Sequence, residues 1–199
     1  MNQLITALAL AIPLTFASQA TQAQAVEWKI DKNHTHIGFV ARHLAFAKVR
    51  GSFKKFDAKI TADKKTGKLT ALSATADVAS ISTDNAKRDK HLRSDDFFAG
   101  DKHPKVSLKL KSIKWDGDDF KATVALTMRG KTKDVVFKGS LIGVRTVNFG
   151  RGAHQRAAYE ATAKIKRQDF GLSFNGVAEG LSIVGDEVKL VLEMEASAK

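Results

Sequence analysis

The sequence contains no cysteine. Disulfides and thiolate-bound zinc are therefore excluded, so an exported form of this chain must rely on burial and sheet hydrogen bonds. The first 25 residues contain no charged side chain. Leu4 to Phe16 form an apolar core and Ala23-Gln24-Ala25 a small-x-small cleavage signal, which together read as a secretory signal peptide removed after Ala25. That apolar run is too short for a membrane-spanning helix, which needs about 20 residues, and no later stretch is apolar enough to span. One Tyr and two Trp serve the whole chain, too few for the aromatic girdles of an outer-membrane barrel.

Machinery for catalysis is missing as well. There is no G-x-S-x-G elbow, no phosphate-cradling G-x-x-x-x-G-K-[ST] and no G-x-G-x-x-G. The adjacent acids Asp95-Asp96 and Asp118-Asp119 sit in turn-like stretches, where neighbouring carboxylates do not flank a substrate. His34-x-His36, with His43 following, is the one metal-like spacing. It shows no third ligand in the sequence and reads as a strand-edge hydrogen bonder. Neither a catalytic residue, a metal nor a cofactor is expected.

What the chain does have is alternation with period two, the signature of strands buried on one face. It runs through Phe56–Ala62, Leu72–Val78, Val106–Leu110, Phe120–Met128, Tyr159–Ile165 and Val188–Met194, with weaker segments at Trp28–Ile30, Ile37–Ala41 and Lys133–Val144. Turn residues separate them at Asp63–Gly67, Asp116-Gly117, Arg129-Gly130 and Gly185-Asp186. Short turns between eight or nine strands point to one all-β domain over 26–199, an antiparallel sheet that closes or folds over itself. Ala58, Ala62, Ala74, Ala76, Ala122, Ala161 and Ala163 fall on the apolar face. Such small residues either leave room for one ligand or sit opposite large neighbours in a filled core.

The net charge is +12, which fits acidic partners such as anionic lipid or a phosphate-bearing ligand, or else a solvated surface of dispersed lysines. Nucleic acid is not expected, because no basic groove is interleaved with stacking aromatics. The densest charge lies in Asn85–Phe98, N-A-K-R-D-K-H-L-R-S-D-D-F-F. It reads as a short helix crossing between two strands, capped by Ser82, Thr83 or Asp84. Asp84–Arg88 and Asp89–Arg93 are spaced as i,i+4 pairs. Leu92 would face inward and Phe97-Phe98 anchor the exit.

Nine segments in order resemble the YceI-like family. They are Trp28-x-Ile30-Asp31 with His34; Phe39 with His43-Leu44; Val49-x-Gly51-x-Phe53; Ala79-Ser80-Ile81-x-Thr83; Arg88-Asp89-x-His91-Leu92-x-Ser94-x-Asp96-Phe97-Phe98; His103-Pro104-Lys105; Leu126-Thr127-Met128-x-Gly130-x-Thr132-Lys133; Arg167-x-Asp169-Phe170-Gly171; and Val184-Gly185-Asp186-Glu187-Val188. The chain departs from the pattern with Lys166 where Asn is expected and with the extra imidazole of His36. The resemblance implies an eight-stranded antiparallel, lipocalin- or streptavidin-like barrel in the periplasm. It would bind or carry a polyisoprenoid or fatty-acid-like lipid, with transient membrane contact.

On that reading Phe39, Phe53, Phe56, Val78, Phe98, Leu108, Leu126, Met128, Phe149 and Phe170 line an apolar tunnel. Arg88, His91, Arg151, His154 and Arg156 stand at its mouth, either meeting a head group or pairing locally. An enzyme acting on isoprenoid lipids and a packed interaction module remain the competing classes. A homodimer is the commonest oligomer for such a chain.

Overall fold

The computed structural model describes residues 24–148, 150 and 152–198. The leader reading falls outside that set apart from Gln24 and Ala25, as do Phe149 and Arg151.

The elements follow one another as β1 (Ala25–Ile30), β2 (His36–His43), β3 (Ala47–Phe53), β4 (Phe56–Asp63), β5 (Leu69–Asp77), β6 (Ile81–Ser82) and α1 (Ala86–Arg93). The chain continues as β7 (Lys105–Asp116), β8 (Asp119–Met128), β9 (Lys131–Asn148), β10 (Ala153–Lys166), β11 (Val177–Ala178), β12 (Leu181–Ser182) and β13 (Val184–Ala198). Several short strands are pieces of one longer stave. Along β13, Ile30 of β1 pairs with Ala196 and, past a 3-10 turn at Lys32–His34, Ile37 of β2 pairs with Leu192. In the same way β3 runs on into β4, and β5 into β6. Counted as staves, the wall is a closed antiparallel barrel of eight. Closure comes from β1 and β2, which pair with β13 on one side and with β4 and β3 on the other.

Sheet closure leaves the long staves without open edges, and period-two burial then fixes which side chains point in. In β8, Phe120, Ala122, Val124, Leu126 and Met128 are buried while the residues between them are not. The hairpin turns follow local chemistry. Met128 pairs with Lys131, leaving Arg129 and Gly130, both with positive φ, as the two-residue loop that matches strand twist. Asp116 pairs with Asp119, so the β7–β8 loop is Gly117-Asp118, one residue later than the Asp116-Gly117 pair suggests. Gly185-Asp186 is no turn at all. It lies inside β13 as a bulge, where the register against β2 shifts between Val184 and Val188.

The barrel has two unlike halves. The lower end, where β1 begins and β13 finishes, is filled. Trp28, Ile60, Leu69, Leu141, Tyr159 and Ala196 are buried there, and the Tyr159 hydroxyl donates to Gly67 O at 2.7 Å. The upper end, where β2 turns into β3, is covered by α1 and by the segment after β10. Both expectations for the inward alanines are met, in different places. Ala62 and Ala161 lie in packed wall, and Gly139 is so tightly met that an added Cβ would come 2.7 Å from Ala161 Cβ. Ala74 and Ala76 open onto a cavity.

Candidate functional site

The cavity occupies the upper half and measures about 110 Å³. Its wall is almost wholly apolar. Of the residues assigned to a tunnel from sequence, Phe39, Phe53, Phe98, Leu108, Leu126 and Met128 line it. Phe56, Val78 and Phe170 do not, although all three are buried. Phe56 stands in β4 opposite Ala76, Val78 sits in the 3-10 turn after β5, and Phe170 in a 3-10 turn after β10. They pack behind the lining. Ile165, Leu172, Val188, Leu190 and Leu192 also line the cavity. Apart from Leu172, the same alternation marked them as inward.

Helix α1 roofs this chamber, and its local structure explains why so polar a helix stays docked. Asp84 has φ +58 and is not the cap; Asn85 is, its side chain accepting from Arg88 N at 2.9 Å. The anticipated i,i+4 ion pairs give way to a buried clasp on Thr83. Asp89 Oδ1 accepts from Thr83 N at 2.8 Å and from Thr83 Oγ1 at 2.5 Å. Arg88 Nε donates to Thr83 Oγ1 at 2.7 Å and an Arg88 η-nitrogen donates to Thr83 O at 2.9 Å. A buried carboxylate with neutral donors is more firmly held than an exposed surface pair. Leu92 faces the chamber, as expected.

Beside the roof lies a second chamber of about 410 Å³. It shares Phe39, Ala41, Leu92, Phe97 and Val184 with the first, so these side chains form the partition. Its outer wall is basic: Arg42, His43, Lys87, Arg88 and His91 line it, with no carboxylate among the lining residues. His91 is fixed from three sides. Its Nε2 lies 2.8 Å from Asp96 Oδ2, and its ring stands edge-on to Phe97 and Phe174, with centroids 5.0 and 4.9 Å away. Arg88 and His91 therefore hold the helix and also border the cleft.

The other expected mouth residues lie elsewhere. On β10 the inward positions are Ala157, Tyr159, Ala161, Ala163 and Ile165. His154 and Arg156 have the opposite parity and sit on the outer wall. Arg156 is also nine residues before Ile165, about 30 Å at strand rise. There it donates to Asp31 Oδ2 at 2.9 Å and pairs with Glu195. His34 Nδ1 lies 3.0 Å from the same Asp31 oxygen. A carboxylate thus does stand beside His34, which the sequence did not reveal. Asp31, His34 and Glu195 bring their ligand atoms within 4.8 Å of one another, but the Arg156 guanidinium already neutralises both acids. His36, on β2, is not part of that group.

One buried charge escaped notice as a functional candidate. Arg167 lines the inner chamber. It donates to Leu172 O at 2.5 Å, Gly185 O at 3.2 Å and Val184 O at 3.2 Å, and desolvation lowers its pKa. It ties the turn after β10 to the bulge of β13, which is why that bulge persists.

This site contains an apolar interior, a helix roof and a cationic cleft, an arrangement suited to holding an amphiphile. Residues 28–196 match the YceI-like domain family. Protein YceI of Escherichia coli O17:K52:H18 (strain UMN026 / ExPEC) is 37% identical over 187 residues, covering 92% of this chain and 94% of that relative. The crystal structure of the Campylobacter jejuni YceI protein shares the fold with a TM-score of 0.69 at 33% identity, over 79% of this chain and 90% of that one. A polyisoprenoid binding domain from Saccharophagus degradans implicated in plant cell wall breakdown has a TM-score of 0.56 at 14% identity, over 88% of this chain and 100% of that one. Matched from Trp28 in β1 to Ala196 in β13, the chain belongs to the YceI-like family.

Proposed function

We propose that this protein is a periplasmic binding protein that carries a polyisoprenoid or similar long-chain amphiphile, and that it is not an enzyme. The observation that carries this reading is the pair of chambers separated only by Phe39, Ala41, Leu92, Phe97 and Val184. The inner one alone, at about 110 Å³, is well short of the ~300–1,000 Å³ of a small-molecule pocket. The outer chamber, at about 410 Å³, lies within that range on its own, and joining the two would extend it into the apolar interior. A change of rotamer at Phe39, Leu92 or Phe97 opens the partition and makes one channel, apolar within and cationic at its outer end. The tail then lies against Leu108, Leu126 and Met128, and the polar group meets Arg42, Lys87 or Arg88. Each buried methylene contributes about 0.8 kcal/mol, offset in part by ordering the tail. The fold shared with a polyisoprenoid binding domain supports the ligand class, and the apolar leader supports export.

Native mass spectrometry of the purified mature chain tests the reading. Retained or added amphiphile appears as a defined mass increment, and the reading fails if organic extraction yields none and the protein accepts none. Turnover of a bound isoprenoid would instead establish an enzyme.

A further inference from the structure

The upper rim carries apolar side chains that the barrel does not bury. Phe46, at the tip of the β2–β3 hairpin, is 73% exposed; Val177 and Leu181, in the β11–β12 hairpin, are 65% and 48% exposed. The remaining large exposed apolar residues among those described, Val136 and Ile142, lie on the outer wall in β9. The two hairpins stand side by side. Leu44 N donates to Ile183 O at 3.3 Å, His43 Nδ1 lies 2.9 Å from the same oxygen, and Ile183 N donates to Gly176 O at 2.9 Å. Both therefore flank the outer chamber, whose lining includes Arg42, His43 and Ile183.

The same rim is cationic at a cost. Arg42 and Lys48 are directly opposed across the β2–β3 ladder, and Arg50 follows on the same face. Like charges placed opposite each other destabilise a hairpin. Arg42 relieves this only in part by donating to Phe46 O at 2.9 Å. Exposed Lys87 and Lys90 on α1 extend the positive collar. Acids also stand on this side: Asp186 and Glu187, in the β13 bulge beside Arg42, are engaged by Gln168 N and by Lys164. Asp89 is consumed by Thr83 and Asp96 lies against His91, while Asp84 and Glu179 are exposed.

Protruding apolar tips inside a basic collar are the features that hold a protein at an anionic bilayer surface, with the tips at the acyl boundary and the lysines at the head groups. We propose that the tips of the β2–β3 and β11–β12 hairpins dock this protein on an anionic lipid surface, with the outer chamber facing the bilayer. The charge complementarity and the convex shape of the tips favour a lipid surface over a protein partner. Docked this way, a tail passes between bilayer and barrel without crossing water.

The test is co-sedimentation of the mature chain with phosphatidylcholine vesicles, with and without phosphatidylglycerol. Binding is expected to require the anionic lipid and to weaken as salt is raised. Phe46→Asp should lower the partition coefficient by about tenfold or more, and Lys48→Ala by about fivefold. Ile142→Asp, on the outer wall, should leave it unchanged. Phe46→Trp should shift its emission to the blue on anionic vesicles only. Equal binding to both vesicle types, or equal losses in Phe46→Asp and Ile142→Asp, would overturn the proposal. Lipid retention by the free protein is read separately by mass, so a docking failure with lipid retained removes this face and leaves the carrier reading standing.

Discussion

Tyr159 shows how much a single side chain does at the closed end. Its ring is buried and its hydroxyl donates to Gly67 O at 2.7 Å, which anchors the β4–β5 turn to β10; burial pushes its pKa upward. Tyr159→Phe keeps the ring but leaves that carbonyl unpaired, and should cost about 1–3 kcal/mol in urea unfolding without changing lipid retention. Asp31 sets an acid limit. The His34 hydrogen bond, aided by Arg156 and by Asn33 N, outweighs desolvation and lowers its pKa from 3.8 to about 2. A carboxyl depressed in the folded state stabilises the fold above its unfolded value and loses that contribution as pH falls through the folded value. The melting temperature should therefore drop as pH falls from about 4 to about 2, and Asp31→Asn should flatten that slope.

At the scale of the element, α1 is the part most exposed to perturbation. It presents Leu92 to the cavity and is otherwise held by the Thr83–Asp89–Arg88 clasp and by His91 against Asp96, Phe97 and Phe174. Asp89→Ala strands the buried donors of Thr83 and should destabilise the roof by about 1–3 kcal/mol. Hydrogen exchange should show faster opening in Ala86–Arg93 than in β8. Strands β4, β5, β8, β10 and β13 were legible because burial on one face imposes period two on the sequence. Strand β3 was not, because Gly51, Ser52 and Phe53 are consecutively buried and break the alternation. Gly51 is needed there, since a Cβ would come 2.3 Å from Phe39 Cζ. The lining was only partly legible for a related reason. Parity tells whether a side chain points inward but not whether it reaches the cavity: Phe56 stands opposite the lining residue Ala76, yet is buried without lining the cavity itself. Arg156 failed on both counts, having outward parity and the wrong end.

For the whole molecule, the proposed carrier role carries a stability prediction. A tail filling the chambers would bind the folded chain alone, so the lipid-loaded form should melt higher, by an amount that grows with the logarithm of lipid excess. Ala76→Leu, which places a larger side chain in the inner chamber, should reduce the retained mass increment; a variant that keeps full lipid loading would show that the tail lies elsewhere. The closure of the barrel has a kinetic meaning too. Strand β1 finds its partner at Ala196 and Ser197 and β2 at 188–193, so an early segment of the chain waits for the last described strand. Contacts this distant in sequence form slowly. Until β13 arrives, the nascent protein is a row of hairpins with two unmatched edges. The seam between β1 and β13 thus acts as a clock: the barrel closes only after the whole wall has been delivered.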